Sequence, residues 1–231
     1  MWTREIDGRA LTFHLAGINN QNFLMRDEET GSFWQQITGQ AVSGPLKGRN
    51  LTLVHCDELA FATWKAENRD GLVLRPVAKF AGDYEAKDWE KRIGKAPTVV
   101  DTKGTGHAPR EVMLGIEIRG ASRAFPLARV LAQKLVQDRV GDEPVILVVG
   151  ADGISVRAFS ARSREGAPAP DYFRTVDAAK MDAALFVDSA SGANWNFQGC
   201  ANGQCLKRLD MIKDYWFDWR LYHPQTTVYK R

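Results

Sequence analysis

Apolar and polar residues alternate along several short stretches of the chain, as they do in strands that have one buried face. Ala10 to Leu15 shows this alternation, whereas Pro144 to Val149 is a continuous apolar run typical of a central strand. The apolar positions between Leu127 and Leu135 instead follow helical spacing, which predicts a helix to about Asp138. These patterns predict an α+β fold that is mostly β, with a few short helices.

Two further helices are predicted from residues that favour helix ends. Asp57 and Glu58 place carboxyl groups where a first turn favours them, so we expect a helix from there to about Ala66. The sequence also predicts a helix from Lys213 to Tyr222, which ends before Pro224.

One stretch of the sequence occurs twice. In each copy an Asp is followed four residues later by Gly and seven residues later by Trp, as in Asp27, Gly31, Trp34 and in Asp188, Gly192, Trp195. The spacing of 13 residues from Leu51 to Trp64 also recurs from Leu206 to Trp219. Three matching spacings predict an internal duplication with two related β-rich units, in which all four of these Trp side chains are buried.

The repeat divides the chain into a first unit at 1–76, a linker at 77–110 and a second unit at 111–231. The first unit has no counterpart of the segment 112–149, so we expect it to lack its N-terminal half. If Asp7–Gly8 corresponds to Asp152–Gly153, the second unit carries about 16 extra residues, which predicts an inserted loop at about 162–180.

Composition excludes several classes of protein. The 231 residues include 44% apolar and 26% charged residues, which is ordinary for a soluble globular protein. The net charge of +3 is too small and too scattered to indicate a nucleic-acid or membrane-surface partner. No apolar run approaches the ~18 residues of a membrane span. The seven Trp and eleven Phe residues favour a buried core over an aromatic binding groove.

The three cysteines are Cys56, Cys200 and Cys205. Four residues separate the last two and include Asn-Gly, which can turn the chain back on itself and allow a disulfide. Two free thiols or a pair of metal ligands are the alternatives, and metal is the weakest of them because zinc sites usually have four ligands in tighter pairs.

A polar loop supplies the candidate binding residues. The loop holds consecutive amides at Asn19, Asn20, Gln21 and Asn22, which can bond a sugar, a peptide or their own backbone. The aromatic and amide residues of the repeat segment extend this candidate surface: Trp34, Gln35 and Gln36.

Catalytic and metal-binding motifs are weak by comparison. The four histidines lie far apart in the sequence, and neither a phosphate-binding glycine loop nor a Gly-x-Ser-x-Gly elbow occurs. Asp27 and its counterpart Asp188 could form a carboxylate pair for acid–base chemistry, but an Asp that opens a turn explains the neighbouring Gly better. We therefore expect neither a metal nor a cofactor.

Two longer stretches carry a family resemblance. Asp27 to Gly48 contains Thr-Gly-Ser-x-Trp-x-Gln and Gly-Pro-Leu-x-Gly, and Gly115 to Leu127 reads Gly-Ile-Glu-Ile-Arg-Gly-Ala-Ser-Arg-Ala-Phe-Pro-Leu. Together they resemble DUF 3179, a bacterial and archaeal family of unknown function, in a tandem arrangement whose first copy is incomplete. The resemblance implies a mostly β fold, often in exported proteins, and no established activity.

The chain departs from that family at the residues best suited to redox or metal chemistry. Where the resemblance implies a His on a helix, this chain has Ala132-Gln133-Lys134, and where it implies a Cys-Pro-x-Cys-like pair, the strand ends in Val149-Gly-Ala-Asp152. A chain without these groups is expected to be inert in any chemistry that depends on them.

These observations predict a non-catalytic binding or structural module of an exported, extracytoplasmic protein, although this sequence shows no signal peptide. The alternative is a redox or hydrolytic enzyme whose active site is completed by residues upstream of Met1. The partner is an unidentified ligand or protein, and the truncated first unit predicts either a homo-oligomer or intimate packing between the two units.

Overall fold

In a computed structural model of the chain, residues 1–162, 169–175 and 184–230 are described. Short strands dominate, with four short α-helices in these ranges, as the sequence predicts. No helix in the described ranges is long and apolar enough to cross a membrane.

The first part of the chain forms a β-hairpin followed by a four-stranded antiparallel sheet of order β3-β4-β5-β6. The hairpin turns at Asp7 and Gly8, both with positive φ angles, which an Asp-Gly turn favours. Trp34 lies at the centre of the apolar cluster beneath this sheet. The strands are β1 (Glu5–Ile6), β2 (Arg9–Ala10), β3 (Phe13–Asn19), β4 (Asn22–Asp27), β5 (Phe33–Gln35) and β6 (Ala41–Ser43).

The segment from 44 to 111 contains helix α1 (Phe61–Glu67), a 3-10 turn (Ala78–Phe80) and helix α2 (Trp89–Ile93). Helix α1 begins at Phe61, so the expectation that Asp57 and Glu58 form its first turn is wrong. The Asp57 carboxylate instead accepts hydrogen bonds from the guanidinium groups of Arg157 and Arg208. The Asp57 carboxylate therefore pairs with arginines that are distant in the sequence and does not cap the helix.

The later part of the chain holds a four-stranded sheet of order β17-β7-β8-β18, two three-stranded sheets of order β11-β10-β9 and β12-β13-β14, and a β15-β16 hairpin. Its elements are β7 (Val112–Ile118), β8 (Ala121–Pro126), α3 (Leu127–Gln133), β9 (Leu135–Val140), β10 (Glu143–Val149), β11 (Val156–Ser160), β12 (Tyr172–Arg174), β13 (Phe186–Asp188), β14 (Asn194–Trp195), β15 (Cys200–Ala201), β16 (Gln204–Cys205), β17 (Ile212–Tyr215), α4 (Trp216–Tyr222) and β18 (Thr227–Val228).

Two helices are shorter than the sequence predicts. Helix α3 ends at Gln133, because Lys134 adopts a left-handed conformation (φ 65°) and the chain continues as β9, paired with the central strand β10. Residues 212–215 pair with β7, so α4 begins only at Trp216. In both places hydrogen bonding to a neighbouring strand overrides the local helical pattern.

Similar backbone contacts occur in the first and later parts of the chain. Trp2 forms an isolated antiparallel bridge with Leu53, and Phe159 forms one with Arg208. The Thr3 N–H bonds the carbonyl of Thr52 at 2.8 Å, and the Ser160 N–H bonds that of Lys207 at the same distance.

Asp7–Gly8 follows the bridge at Trp2, whereas Asp152–Gly153 precedes the bridge at Phe159. The alignment of these two turns, and the division into units that uses it, stays a prediction. Most of the predicted inserted loop at 162–180 lies outside the described residues. Its described part contains β12, which pairs with β13.

Burial of the repeated Trp residues is uneven. Trp34 and Trp219 are fully buried, whereas Trp64 and Trp195 are only partly buried. Trp64 lies on α1 and is less covered than Trp219 on α4.

The first and later parts of the chain pack closely. Arg157 is almost completely buried and binds both Asp57 and Glu67 at 2.7 Å. The Thr63 hydroxyl donates to Asp152 at 2.6 Å, and the Ala60 N–H donates to Ser155 Oγ at 2.9 Å. These bonds hold α1 against the turn that precedes β11. They also keep the first and later parts of the chain close enough for other polar side chains to meet between them.

Candidate functional site

A chain of side-chain amides crosses from the first sheet to helix α4. The Asn19 amide donates to Gln35 Oε1 at 2.9 Å, Gln35 donates to Asn22 Oδ1 at 2.7 Å, and Asn22 donates to Asp218 Oδ2 at 2.7 Å. The β3–β4 turn supplies the two asparagines and β5 supplies the glutamine. Because every donor points toward Asp218, the chain polarises in one direction and stabilises negative charge on that carboxylate.

Three acidic or phenolic side chains continue the site at four-residue intervals: Asp214, Asp218 and Tyr222. Asp214 lies on β17, one residue before its end, and the other two lie on the same face of α4 because helical residues four apart are neighbours. Asp218 is 5% exposed, whereas Asp214 and Tyr222 are partly exposed. We call these three residues, with Asn19, Asn22 and Gln35, the amide–carboxyl cluster.

Three buried oxygens of this cluster have unused hydrogen-bonding capacity. They are Asp214 Oδ2, Asp218 Oδ1 and the Tyr222 hydroxyl, and no other buried side-chain nitrogen or oxygen in the described ranges lacks a partner. Asn20 approaches the Tyr222 hydroxyl, but this contact falls outside hydrogen-bond geometry. Since buried polar groups are normally paired, their concentration here sets the cluster apart from the other described residues.

Burial and mutual repulsion shift the protonation of the cluster. Burial, followed by the charge of Asp218, raises the pKa of Asp214 to about 8. Burial also raises the pKa of Asp218, and the Asn22 hydrogen bond and the charge of His223 oppose this rise. The two carboxyl groups therefore do not both ionise easily, and the raised pKa of Asp214 favours its protonated form near neutral pH.

The other predicted binding residues lie elsewhere. Asn20 is exposed at the edge of the cluster, and Trp34 is buried in the core, where its indole N–H donates to Asp27 at 2.7 Å. The Gln36 side chain is exposed and its carbonyl accepts a 2.6 Å hydrogen bond from the Trp2 indole. The structure thus brings together Asn19, Asn22 and Gln35, and leaves Trp34 and Gln36 out of the cluster.

Asp27 and Asp188 are turn residues rather than an acid–base pair. Each accepts a 2.6 Å hydrogen bond from the backbone N–H three residues on and a second bond from the Trp seven residues on. Burial raises the pKa of each, but hydrogen bonds from the turn hydroxyl and the indole outweigh it and leave both pKa values lowered. Both carboxylates therefore stay ionised and hold a turn, as the sequence favours.

Sequence reasoning missed Asp214, Asp218 and Tyr222. The available signal was the acidic pair four residues apart in the segment Asp214-Tyr-Trp-Phe-Asp218, where the neighbouring aromatics predict burial. Buried acidic residues beside aromatics are rare without a partner, so this pattern could have indicated the site.

A separate cavity of about 470 Å³ lies where the first part of the chain meets β11 and β17, and Gln36 is among its lining residues. On its wall His55 lies 2.9 Å from Asp210 and 3.3 Å from Asp57. Its charged groups are thus already paired with each other, in contrast to those of the amide–carboxyl cluster. The exposed free thiol of Cys56 also lies on this wall.

Cys200 and Cys205 form a disulfide, which confirms the pairing suggested by their spacing. They face each other across the β15–β16 hairpin, whose turn contains Asn202 and Gly203 with positive φ angles. Within the described ranges, no group of three or more His, Cys, Asp or Glu side chains is arranged to hold a metal ion.

Comparison with known proteins gives a single result. The model of a family described as a protein of unknown function, DUF3179, matches residues 1–226. Neither the curated proteins nor the solved structures contain a significant match.

Proposed function

Because the chain belongs to the DUF3179 family, whose function is unknown, we propose its function from its own geometry: a non-catalytic binding module that uses the amide–carboxyl cluster. The observation that carries this proposal is the set of three unpaired buried oxygens, on Asp214, Asp218 and Tyr222. Leaving such groups unpaired costs ~1–3 kcal/mol each, so a ligand that pairs them gains affinity.

The unpaired atoms of the amide–carboxyl cluster determine which chemical groups a ligand must carry. Asp218 Oδ1 and the Tyr222 oxygen can accept hydrogen bonds, whereas the Asp214 carboxyl, whose pKa is raised to about 8, can also donate one at neutral pH. A ligand that donates hydrogen bonds through hydroxyl or ammonium groups fits this set. Exposed Asn20 marks the side from which such a ligand approaches.

Thermal unfolding tests this proposal with two probe sets, monosaccharides as hydroxyl donors and diamines or polyamines as ammonium donors. We expect members of one set to raise the Tm of the protein, and Asp218→Asn to abolish that rise. Asp152→Asn is the matched control, because Asp152 is also hydrogen-bonded across the two parts but lies outside the cluster. If neither set shifts the Tm, or Asp218→Asn responds like the parent protein, the binding role of the cluster is wrong.

A hydrolytic role is the second candidate, and the protonation of Asp214 favours it. A carboxyl group with a pKa of about 8 beside a second carboxyl group can act as a general acid–base pair. Chromogenic ester and glycoside substrates test this candidate. Turnover that Asp214→Asn and Asp218→Asn each remove supports it, and turnover that survives both variants assigns the activity to a contaminant or another site.

We further infer that the chain arose by duplication, with units at 1–76 and 111–231 and a linker at 77–110. The matched bridges of Trp2 and Phe159, and the matched Asp-turn-Trp bonds, support this inference.

An extracytoplasmic location is our proposal for where the module works. The Cys200–Cys205 disulfide supports it, because such bonds persist mainly in oxidising compartments.

A further inference from the structure

One face of helix α1 and the segment after it presents apolar side chains to solvent. Phe61 is 60% exposed, Leu72 is 95% exposed and Leu74 is 99% exposed, with Trp64 partly exposed between them. We call Phe61, Trp64, Leu72, Val73 and Leu74 the α1 face. Contiguous apolar patches of this kind usually mark a surface that something else covers.

The same surface exists a second time in the chain, 155 residues later. The N–H of Asn68 bonds the carbonyl of Trp64 at 2.9 Å, and the N–H of His223 bonds that of Trp219 at 3.0 Å, so α1 and α4 end in the same way. By this offset Phe61 corresponds to Trp216, Trp64 to Trp219 and Leu74 to Tyr229. All three counterparts are at most 5% exposed, whereas Thr227, the counterpart of Leu72, is exposed.

The β7–β8 hairpin is what covers the counterpart. Trp219 packs on Gly115 so closely that a Cβ there would lie 2.3 Å from the indole ring, so only glycine fits at that point. Met113 and Ala124 complete the apolar cluster around Trp219. β18 pairs in parallel with β8, and the Tyr229 N–H bonds the Ala124 carbonyl at 2.9 Å.

Charge narrows the choice of partner further. Lys65, Arg69 and Arg75 are exposed beside the α1 face with only Asp70 to offset them, and none of the four has an ion pair among the described residues. In the covered copy, Glu117 of β7 contacts His223 at 3.1 Å, and His223 corresponds to Asn68, the neighbour of Arg69. A partner with acidic residues at this position would pair with the excess positive charge.

We propose that the α1 face binds an acidic β-hairpin of another polypeptide, which carries glycine opposite Trp64 and lays one strand alongside residues 72–73. The hairpin occupies the place that β7–β8 occupies over α4. This interaction is independent of the amide–carboxyl cluster, which lies on α4 and the first sheet.

The test uses the full chain and a head-to-tail cyclised peptide with the sequence of residues 111–126, because an isolated open hairpin is barely stable. Two modified peptides accompany it: one with Gly115→Val, and one with Arg119→Glu and Arg123→Glu. By calorimetric titration we expect the parent peptide to bind, the valine peptide to bind at least tenfold more weakly, and the acidic peptide to bind at least fivefold more tightly at low salt.

The test variant carries Leu72→Asp and Leu74→Asp on the α1 face, and the matched control is Leu15→Asp on β3. All three leucines are exposed, so these substitutions should not affect folding. We expect the first pair to weaken binding at least tenfold and Leu15→Asp to leave it unchanged. Equal binding of the parent and valine peptides, or equal binding by the Leu72/Leu74 variant, would overturn the proposal. So would self-association of the chain that the Leu72/Leu74 variant abolishes, since a second copy would then be the occupant.

Discussion

The side-chain amide of Asn22 donates a 2.7 Å hydrogen bond to the carboxylate of Asp218, across 196 residues of sequence and within the buried interior. The bond links the turn between the first two strands of one sheet to the last helix of the chain. It also places the polar loop predicted from the sequence next to the acidic pair Asp214 and Asp218. The sequence of the loop does not predict this contact.

Removing the Asn22 amide should destabilise the protein. Asn22→Ala leaves Asp218 with no donor for Oδ2 and Gln35 without its acceptor, so we expect a loss of ~1–3 kcal/mol in the free energy of unfolding. Urea unfolding followed by circular dichroism measures it. Gln36→Ala, at an exposed position outside the cluster, serves as the control and should cost less than ~0.5 kcal/mol.

The Asp214 carboxyl should make stability depend on pH between about 4 and 8. Its pKa is raised from 3.8 to about 8 in the folded protein, so over this range the unfolded chain releases a proton that the folded chain keeps. The free energy of unfolding therefore falls as pH rises through this window, and the raised pKa of Asp218 acts in the same direction.

Asp214→Asn isolates this effect. We expect the variant to gain stability relative to the parent protein on going from pH 5 to pH 8, by an amount on the order of a few kcal/mol. Asp188→Asn is the contrasting variant, because the pKa of Asp188 is lowered and its contribution is lost only as pH falls through the acid range. Parallel stability curves for the parent protein and Asp214→Asn would contradict the raised pKa.

The two repeated Trp residues should differ in their contribution to stability. Trp34 is 1% exposed and packs edge-on against Phe13, so Trp34→Ala should cost ~3–5 kcal/mol. Trp195 is only partly buried, although it makes the same indole bond to its Asp, so Trp195→Ala should cost clearly less. Equal losses in denaturant unfolding would mean that the Asp–indole bond, rather than burial, sets the contribution of both residues.

The Cys200–Cys205 disulfide closes a small loop and should contribute modestly to stability. Its sequence separation of 5 residues gives a chain-entropy contribution of about 2 kcal/mol, which the double variant Cys200→Ser, Cys205→Ser should lose. Mass measurement after alkylation without reductant checks the bond itself. One modified cysteine, the exposed Cys56, is the expected result, and three modified cysteines would refute the bond in that preparation.

The two proposed units should differ in their ability to fold alone. Residues 1–76 lose the buried Arg157 that binds Asp57 and Glu67, so we expect this fragment to be molten or insoluble. Residues 107–231 keep their own sheets and should unfold cooperatively on heating. A cooperative transition for 1–76, with 107–231 disordered, would reverse the assignment of which unit is complete.

Local sequence determined the features that depend on neighbouring residues. The apolar run ending at Val149 and the Asp-x-x-x-Gly turns appear in the structure, because burial and turn geometry act over a few residues. The Cys200–Cys205 hairpin followed from spacing for the same reason. The single strand predicted from Ala10 to Leu15 is wrong, because β2 ends at Ala10, β3 begins at Phe13 and Leu15 is exposed.

Only the tertiary structure decided where helices gave way to strands and which polar groups met. Helix α3 ends before Lys134 because β9 pairs with β10. Asp57 does not cap α1 because its carboxylate binds Arg157. The meeting of Asn22 with Asp218 depends on two parts of the chain packing together. Local periodicity carries no information about a contact between residues 196 apart, so the candidate site became visible only in the folded chain.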